Sequence, residues 1–135
     1  MAAIGLVQLR RYPALLARRC DMVRQYDAKL SAEVLRPAHL QPDMTSDCHL
    51  YLARLPGKTH ESRSEIITRM AERGVACNVH YKPLPLLTAY KNLGFRMEDY
   101  PNAYAQFENE ITLPLHTLLS DEDIDYVCVC LRECL

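Results

Sequence analysis

The stretch Asn78-Val79-His80-Tyr81-Lys82-Pro83-Leu84-Pro85 puts an imidazole, a phenol and an ammonium at three consecutive positions, just before two prolines stiffen the chain. Such a cluster suits a phosphate or carboxylate: lysine supplies the charge and the other two supply hydrogen bonds. The competing reading is that His80 and Tyr81 only pack at a strand end, and the residues by themselves leave both open. Cys77 lies three positions before His80, which on a strand sends the two side chains to opposite faces, so they do not form a nucleophile–base dyad. The four glycines are isolated, so there is no glycine-rich phosphate loop.

Metal and thiol chemistry are equally thin. Cys20, Cys48 and Cys77 are scattered, while Cys128, Cys130 and Cys134 share one predicted helix. Cys130 and Cys134 fall on one helical face and could offer two ligands, but no second cluster completes a metal site. Without a C-x-x-C pair or an export signal, the cysteines read as reduced, small hydrophobes. The carboxylates Glu108, Glu110, Asp121, Glu122, Asp123 and Asp125 read as solvated or capping groups.

Several elements must position the cluster. Ala2 to Leu9 reads as helix with no residue before it to act as N-cap, so an upstream portion is expected. Pro13 should interrupt that helix and open a second one, running to about Ser31, with Leu15, Met22, Val23, Tyr26 and Leu30 near one face. Arg18, Arg19 and Arg24 enrich the other face, which reads as solvated. Arg36 to Asp47 should be a loop and Cys48 to Leu55 a strand. Ser62-Arg63-Ser64-Glu65 matches a capping box ahead of a helix whose stop is Gly74. Val75 to Tyr81 and Ile111 to Leu113 are two further strands. Short helices are expected at Leu86 to Leu93 and from Pro101, and Ser120 should cap the last helix. The sum is an α+β fold, a small sheet of about three strands covered by helices.

The 135 residues fit one domain. Their 49% hydrophobic and 24% charged content is ordinary for a folded protein. A net charge of -1 gives no global field for nucleic acid or an anionic membrane, so neither is expected as a partner. No apolar run has the length a bilayer requires, and the first arginines follow the apolar start, opposite to a secretory signal. A cytoplasmic location is the resulting expectation.

In order along almost the whole chain, several blocks carry a more specific signal. They are Ala2-Ala3-Ile4-Gly5-Leu6-Val7-Gln8-Leu9, the helix through Arg18-Arg19, Arg73-Gly74-Val75, and Asn78-Val79-His80-Tyr81-Lys82-Pro83-Leu84. They continue with Ala89-Tyr90-Lys91-Asn92-Leu93-Gly94, Tyr100-Pro101-Asn102-Ala103, Leu113-Pro114-Leu115-His116 and Leu119-Ser120-Asp121-Glu122-Asp123. With these blocks the chain resembles the C-terminal, small-domain part of the DegT/DnrJ/EryC1/StrS sugar aminotransferases.

The resemblance implies the last part of a fold type I aminotransferase. Residues 1–31 would be the connecting helices that end the large domain and link to the small one, and residues 32–135 the small C-terminal domain. It implies a pyridoxal phosphate enzyme of polysaccharide or glycan biosynthesis, which takes an amino group from glutamate and passes it to a nucleotide-linked keto-sugar, as a homodimer. The Schiff-base lysine would belong to the large domain, since Lys29, Lys58, Lys82 and Lys91 match no such motif. No pyridoxal phosphate is expected on this chain alone, which would be catalytically silent. His80, Tyr81 and Lys82 would face the sugar nucleotide as substrate-binding residues, with no catalytic, cofactor or metal role. One alternative is a non-enzymatic module that docks on a separate aminotransferase large domain through residues 2 to 9. Another is an independent enzyme built on His80, Tyr81 and Lys82.

Overall fold

The computed structural model describes residues 2–30 and 32–135. Met1 and Ser31, the two ends of the expected connecting segment, lie outside the described residues.

The chain opens with one continuous helix, α1 (Ala2–Lys29), which runs through Pro13. The expected break is therefore absent. Proline costs the helix a hydrogen bond to the carbonyl four residues earlier. Here residues 2 to 14 are all exposed, so solvent can satisfy that carbonyl. Only the second half of α1 is anchored, through Met22, Val23 and Tyr26, with Leu30 just beyond it.

Strand β1 (Tyr51–Arg54) is shorter than the expected Cys48–Leu55 run. Cys48 has φ of +49°, a left-handed conformation that cannot continue a strand. A turn at Pro56-Gly57 leads into α2 (His60–Glu72), which starts earlier than the Ser62 signal implies. Thr59 is its N-cap: Thr59 Oγ1 accepts from the Ser62 amide at 3.3 Å and Ser62 Oγ accepts from the Thr59 amide at 2.9 Å. The reciprocal box exists, three residues upstream, with Ser62 in the position expected for Glu65. Gly74 follows the helix with φ of +78°, the left-handed residue a helix C-terminus wants.

After a 3-10 turn at Leu84–Leu86 come α3 (Thr88–Asn92), α4 (Pro101–Glu108), β2 (Glu110–Leu113) and α5 (Asp121–Cys134). Ser120 caps α5 as expected, in a second reciprocal box with Asp123. β1 and β2 pair antiparallel, Tyr51 opposite Leu113 and Arg54 opposite Glu110. On the other edge of β2 the expected third strand is reduced to one bridge, Asn78 with Thr112. The ladder stops because side chains take the next two amides. Val79 N–H donates to Asn78 Oδ1 and His80 N–H to Glu110 Oε2.

Alternation along β2 divides the molecule. Ile111 and Leu113, with Tyr51 and Ala53 from β1, face a core closed by Met22, Val23 and Tyr26 of α1, Ile66 and Met70 of α2, and Ile124, Val127 and Leu131 of α5. Glu110 and Thr112 face the other way. The α+β class holds, with a two-stranded sheet where about three strands were expected.

Two polar fasteners set α1 against this core. Tyr51 donates its hydroxyl to Asp27 Oδ1 at 3.0 Å, where Arg36 Nε also donates, and Tyr26 donates to the Pro114 carbonyl at 2.8 Å. Arg18 is not the solvated cation expected of its stripe. It pairs with Asp121 at 2.7 Å and donates to the Leu119 carbonyl at 2.6 Å, tying α1 to the start of α5. Among the described residues no helix is long and apolar enough to cross a membrane.

Candidate functional site

The site grows from the polar face of β2. Glu110 is 1% exposed, which overturns its expected place among the solvated carboxylates. Period-two alternation in Glu110-Ile111-Thr112-Leu113 carried the signal. If Ile111 and Leu113 enter the core, Glu110 and Thr112 share the opposite face, beside whatever chain borders that edge. That neighbour is the segment leading to His80.

Three short links join these residues. Thr112 Oγ1 donates to Glu110 Oε1 at 2.6 Å, the His80 amide donates to Glu110 Oε2 at 3.0 Å, and His80 Nδ1 lies 2.9 Å from Thr112 Oγ1. His80 Nε2 is left toward the surface, 3.4 Å from the Asn78 side-chain nitrogen. Burial pushes the Glu110 carboxyl above its usual range, against the hydrogen bonds from Thr112 and the His80 main chain and the charge of Arg63, which pull it down. Arg63 of α2 is 3% exposed, stacks its guanidinium 5.1 Å from the Phe107 ring centre, and is itself pulled down by burial. Its Nε has no hydrogen-bond partner.

Of the expected triplet, His80 is half-buried on this polar face, while Tyr81 and Lys82 are exposed. Tyr81 is 72% exposed, its ring edge-on to His80 with centres 4.6 Å apart across a cis peptide bond. Lys82 turns to a separate shallow recess of about 270 Å³, shared with His60, Glu61, Lys91, Tyr104 and Phe107. Cys77 packs against the core on the opposite side from His80, as the strand spacing requires, and burial pushes its thiol up to about 12. The arrangement can bind and orient a ligand through an imidazole, a phenol and a nearby ammonium. Among the described residues the His80 ring meets Thr112 and Asn78, not a thiol.

The lysines decide whether a pyridoxal phosphate site could form from these residues. Lys29 pairs with Asp125, Lys58 donates to the Leu135 carbonyl, and Lys82 and Lys91 line the recess. Glu110, the one buried carboxylate among the described residues, is engaged by Thr112 and His80 and by no lysine. Among the described residues, two of the four lysines are engaged with other groups and two stand at the recess, whose lining does not include Glu110. Among them no group of three metal-ligating side chains converges either.

A long helix leading into a small antiparallel sheet wrapped by helices is the architecture of the C-terminal third of fold type I aminotransferases. The chain belongs to the DegT/DnrJ/EryC1/StrS aminotransferase family, whose model matches residues 1–132. A putative sugar aminotransferase of Streptococcus pneumoniae, solved in its PMP form, superposes with a TM-score of 0.97 at 55% identity, over 99% of this chain and 34% of its own. The spore coat polysaccharide biosynthesis protein SpsC of Bacillus subtilis is 30% identical over 98% of this chain. A dTDP-4-dehydro-2,3,6-trideoxy-D-glucose 4-aminotransferase of Saccharopolyspora spinosa is 32% identical over 91% of it. The chain spans about a third of the length of these relatives, 35% and 31% respectively.

Proposed function

We propose that this chain forms the substrate-facing small domain of a nucleotide-sugar aminotransferase, with His80, Tyr81 and Lys82 as its ligand contacts. The close superposition of nearly the whole chain on a putative sugar aminotransferase carries this reading. In this reading the partner groups are a keto-sugar linked to a nucleotide, with glutamate as amino donor. The intact enzyme is a cytoplasmic homodimer, and the six free thiols suit such a reducing compartment. When bound in the complete enzyme, pyridoxal phosphate supplies the carrier for the amino group. This chain's part is to hold the sugar nucleotide. Tyr81 offers an exposed hydroxyl and ring face, His80 a ring nitrogen fixed by its buried partners, and Lys82 and Lys91 positive charge at the neighbouring recess. By itself the chain aminates nothing.

The test compares the isolated chain with the same chain joined to a family large domain, both given glutamate and a nucleoside-diphosphate keto-hexose. Only the joined protein should release the amino sugar. His80→Ala in that protein should raise the KM for the sugar nucleotide by about five- to tenfold, the equivalent of one lost hydrogen bond, with the glutamate half-reaction unchanged. Equal loss in both half-reactions, or turnover by the isolated chain, would sink the assignment.

One observation favours a second reading. Ile4, Leu6, Val7 and Leu9 on α1 are each half or more exposed, an apolar surface suited to contact with another protein body. A module that docks on a separately encoded large domain would use it. Restored turnover on mixing the two as unlinked chains, against turnover only when they are fused, separates the readings.

A further inference from the structure

The hydrogen bonds around His80 admit one consistent set of proton positions when Glu110 is ionised. A main-chain amide can only donate, so Glu110 Oε2 accepts from His80 N–H at 3.0 Å. A carboxylate can only accept, so the hydroxyl of Thr112 gives its single proton to Oε1. The 2.6 Å separation is the length of such a charge-assisted O–H bond. Thr112 Oγ1 is then an acceptor on its remaining side, 2.9 Å from His80 Nδ1. The ring proton must therefore sit on Nδ1, and Nε2 carries a lone pair.

We infer that Glu110, acting through Thr112, is a positioning residue that locks His80 in the Nδ1–H tautomer, so that Nε2 accepts a hydrogen bond from a hydroxyl of the bound ligand. Among the described residues the Asn78 amide is the one donor at Nε2, and at 3.4 Å it is long enough for a better-placed hydroxyl to displace it. An ionised phosphate has no proton to give and is disfavoured there. The sugar part of the ligand, not its diphosphate, therefore belongs against His80, and charge recognition falls to other groups. Arg63 and the two donors to the carboxylate favour its ionised form, against the burial that raises it.

The ligand half rests on the proposed binding role of His80; the tautomer half does not. Both are read by side-chain nitrogen NMR on the full chain at about pH 8, where an ordinary imidazole is neutral. The wild type should show the proton on Nδ1. In Glu110→Gln the His80 amide fixes the carboxamide oxygen at the Oε2 position and turns its NH2 toward Thr112. Thr112 must then donate to Nδ1, and the proton should move to Nε2. Thr112→Val should release the ring to the same Nε2–H form, while Thr112→Ser, which keeps the hydroxyl, should retain Nδ1–H and guards against a mere packing effect. A wild type protonated on Nε2, or an unchanged tautomer in both Glu110→Gln and Thr112→Val, overturns the positioning role. Millimolar UDP-glucose should then shift the Nε2 resonance, and UDP should not. A shift with UDP alone overturns the hydroxyl assignment. No shift with either, while the tautomer holds, overturns the ligand role of His80 and leaves the lock standing.

Discussion

Replacing Tyr51 by Phe isolates one of the bonds that seat α1 on the core. The ring stays in its fully buried place, so almost the whole apolar contribution survives. What goes is a hydroxyl donated to a carboxylate, Asp27 Oδ1, at 3.0 Å. Hydrogen bonds to charged groups contribute about 1.5–3 kcal/mol. Asp27 keeps its bond from Arg36 and some solvent, which places the loss at the lower end, about 1.5–2 kcal/mol. Tyr26→Phe removes a donor to a neutral carbonyl, that of Pro114, and should cost only about 1 kcal/mol. Burial raises both phenols far above their ordinary range, so each stays an O–H donor throughout the pH range of a denaturation experiment. Urea unfolding should show both midpoints lowered with slopes unchanged, Tyr51→Phe by the larger amount. The rings lie 4.7 Å apart, so the double variant should depart from the sum of the singles. A Tyr51→Phe protein as stable as the wild type, or less affected than Tyr26→Phe, would refute the reasoning that charge on the acceptor decides the order.

Gly74→Ala should cost about 1 kcal/mol by thermal unfolding: nothing lies within 4 Å of the added methyl, so the φ of +78° is the whole penalty. Glu110→Gln should gain stability relative to the wild type as pH rises. The raised folded-state pKa means that burial favours the protonated carboxyl, a contribution lost once the pH passes through that pKa. The charged neighbours are Arg63 from α2, His80 on the bordering segment and Arg54 across the ladder, the last occupied with Asn109 and Ala105. Denaturation of both proteins between about pH 4 and 8 reads this, and a constant difference contradicts it. Burial raises the thiols of Cys48 and Cys128 to about 11 and that of Cys77 to about 12. In the native protein at pH 7.5 all three should resist iodoacetamide and react only on unfolding, as mass spectrometry of peptides would record.

Much of the fold was legible because local rules and packing agree. Ser120 with Asp123, Pro101 at a helix start and Gly74 at a helix end each stand where short-range chemistry puts them. The failures fall where tertiary context chose between permitted options. Pro13 breaks a helix that needs every hydrogen bond, but not one lying in water. Thr59 and Ser62 both can cap, and the turn after Pro56-Gly57 leaves room for the earlier one. At the site, His80 and Tyr81 were visible as an unusual pair, and the spacing to Cys77 correctly sent the two side chains apart. Glu110 was missed because a glutamate at a strand edge usually faces water, and its partners come from thirty residues away and from two positions along the same strand face.

The uninterrupted course of α1 has a mechanical side. From its anchored residue Met22 back to Ala2 the helix is a stiff arm roughly 30 Å long. Any small angular play at the anchored end is multiplied along that arm: a tilt of about 5° carries the far tip between 2 and 3 Å by the same geometry. Whatever body grips the apolar tip therefore senses the tightness of the Tyr51–Asp27–Arg36 and Arg18–Asp121 fasteners as an error in aim. Loosening a phenol in the core would be felt as misalignment at a distance, long before the domain itself came apart.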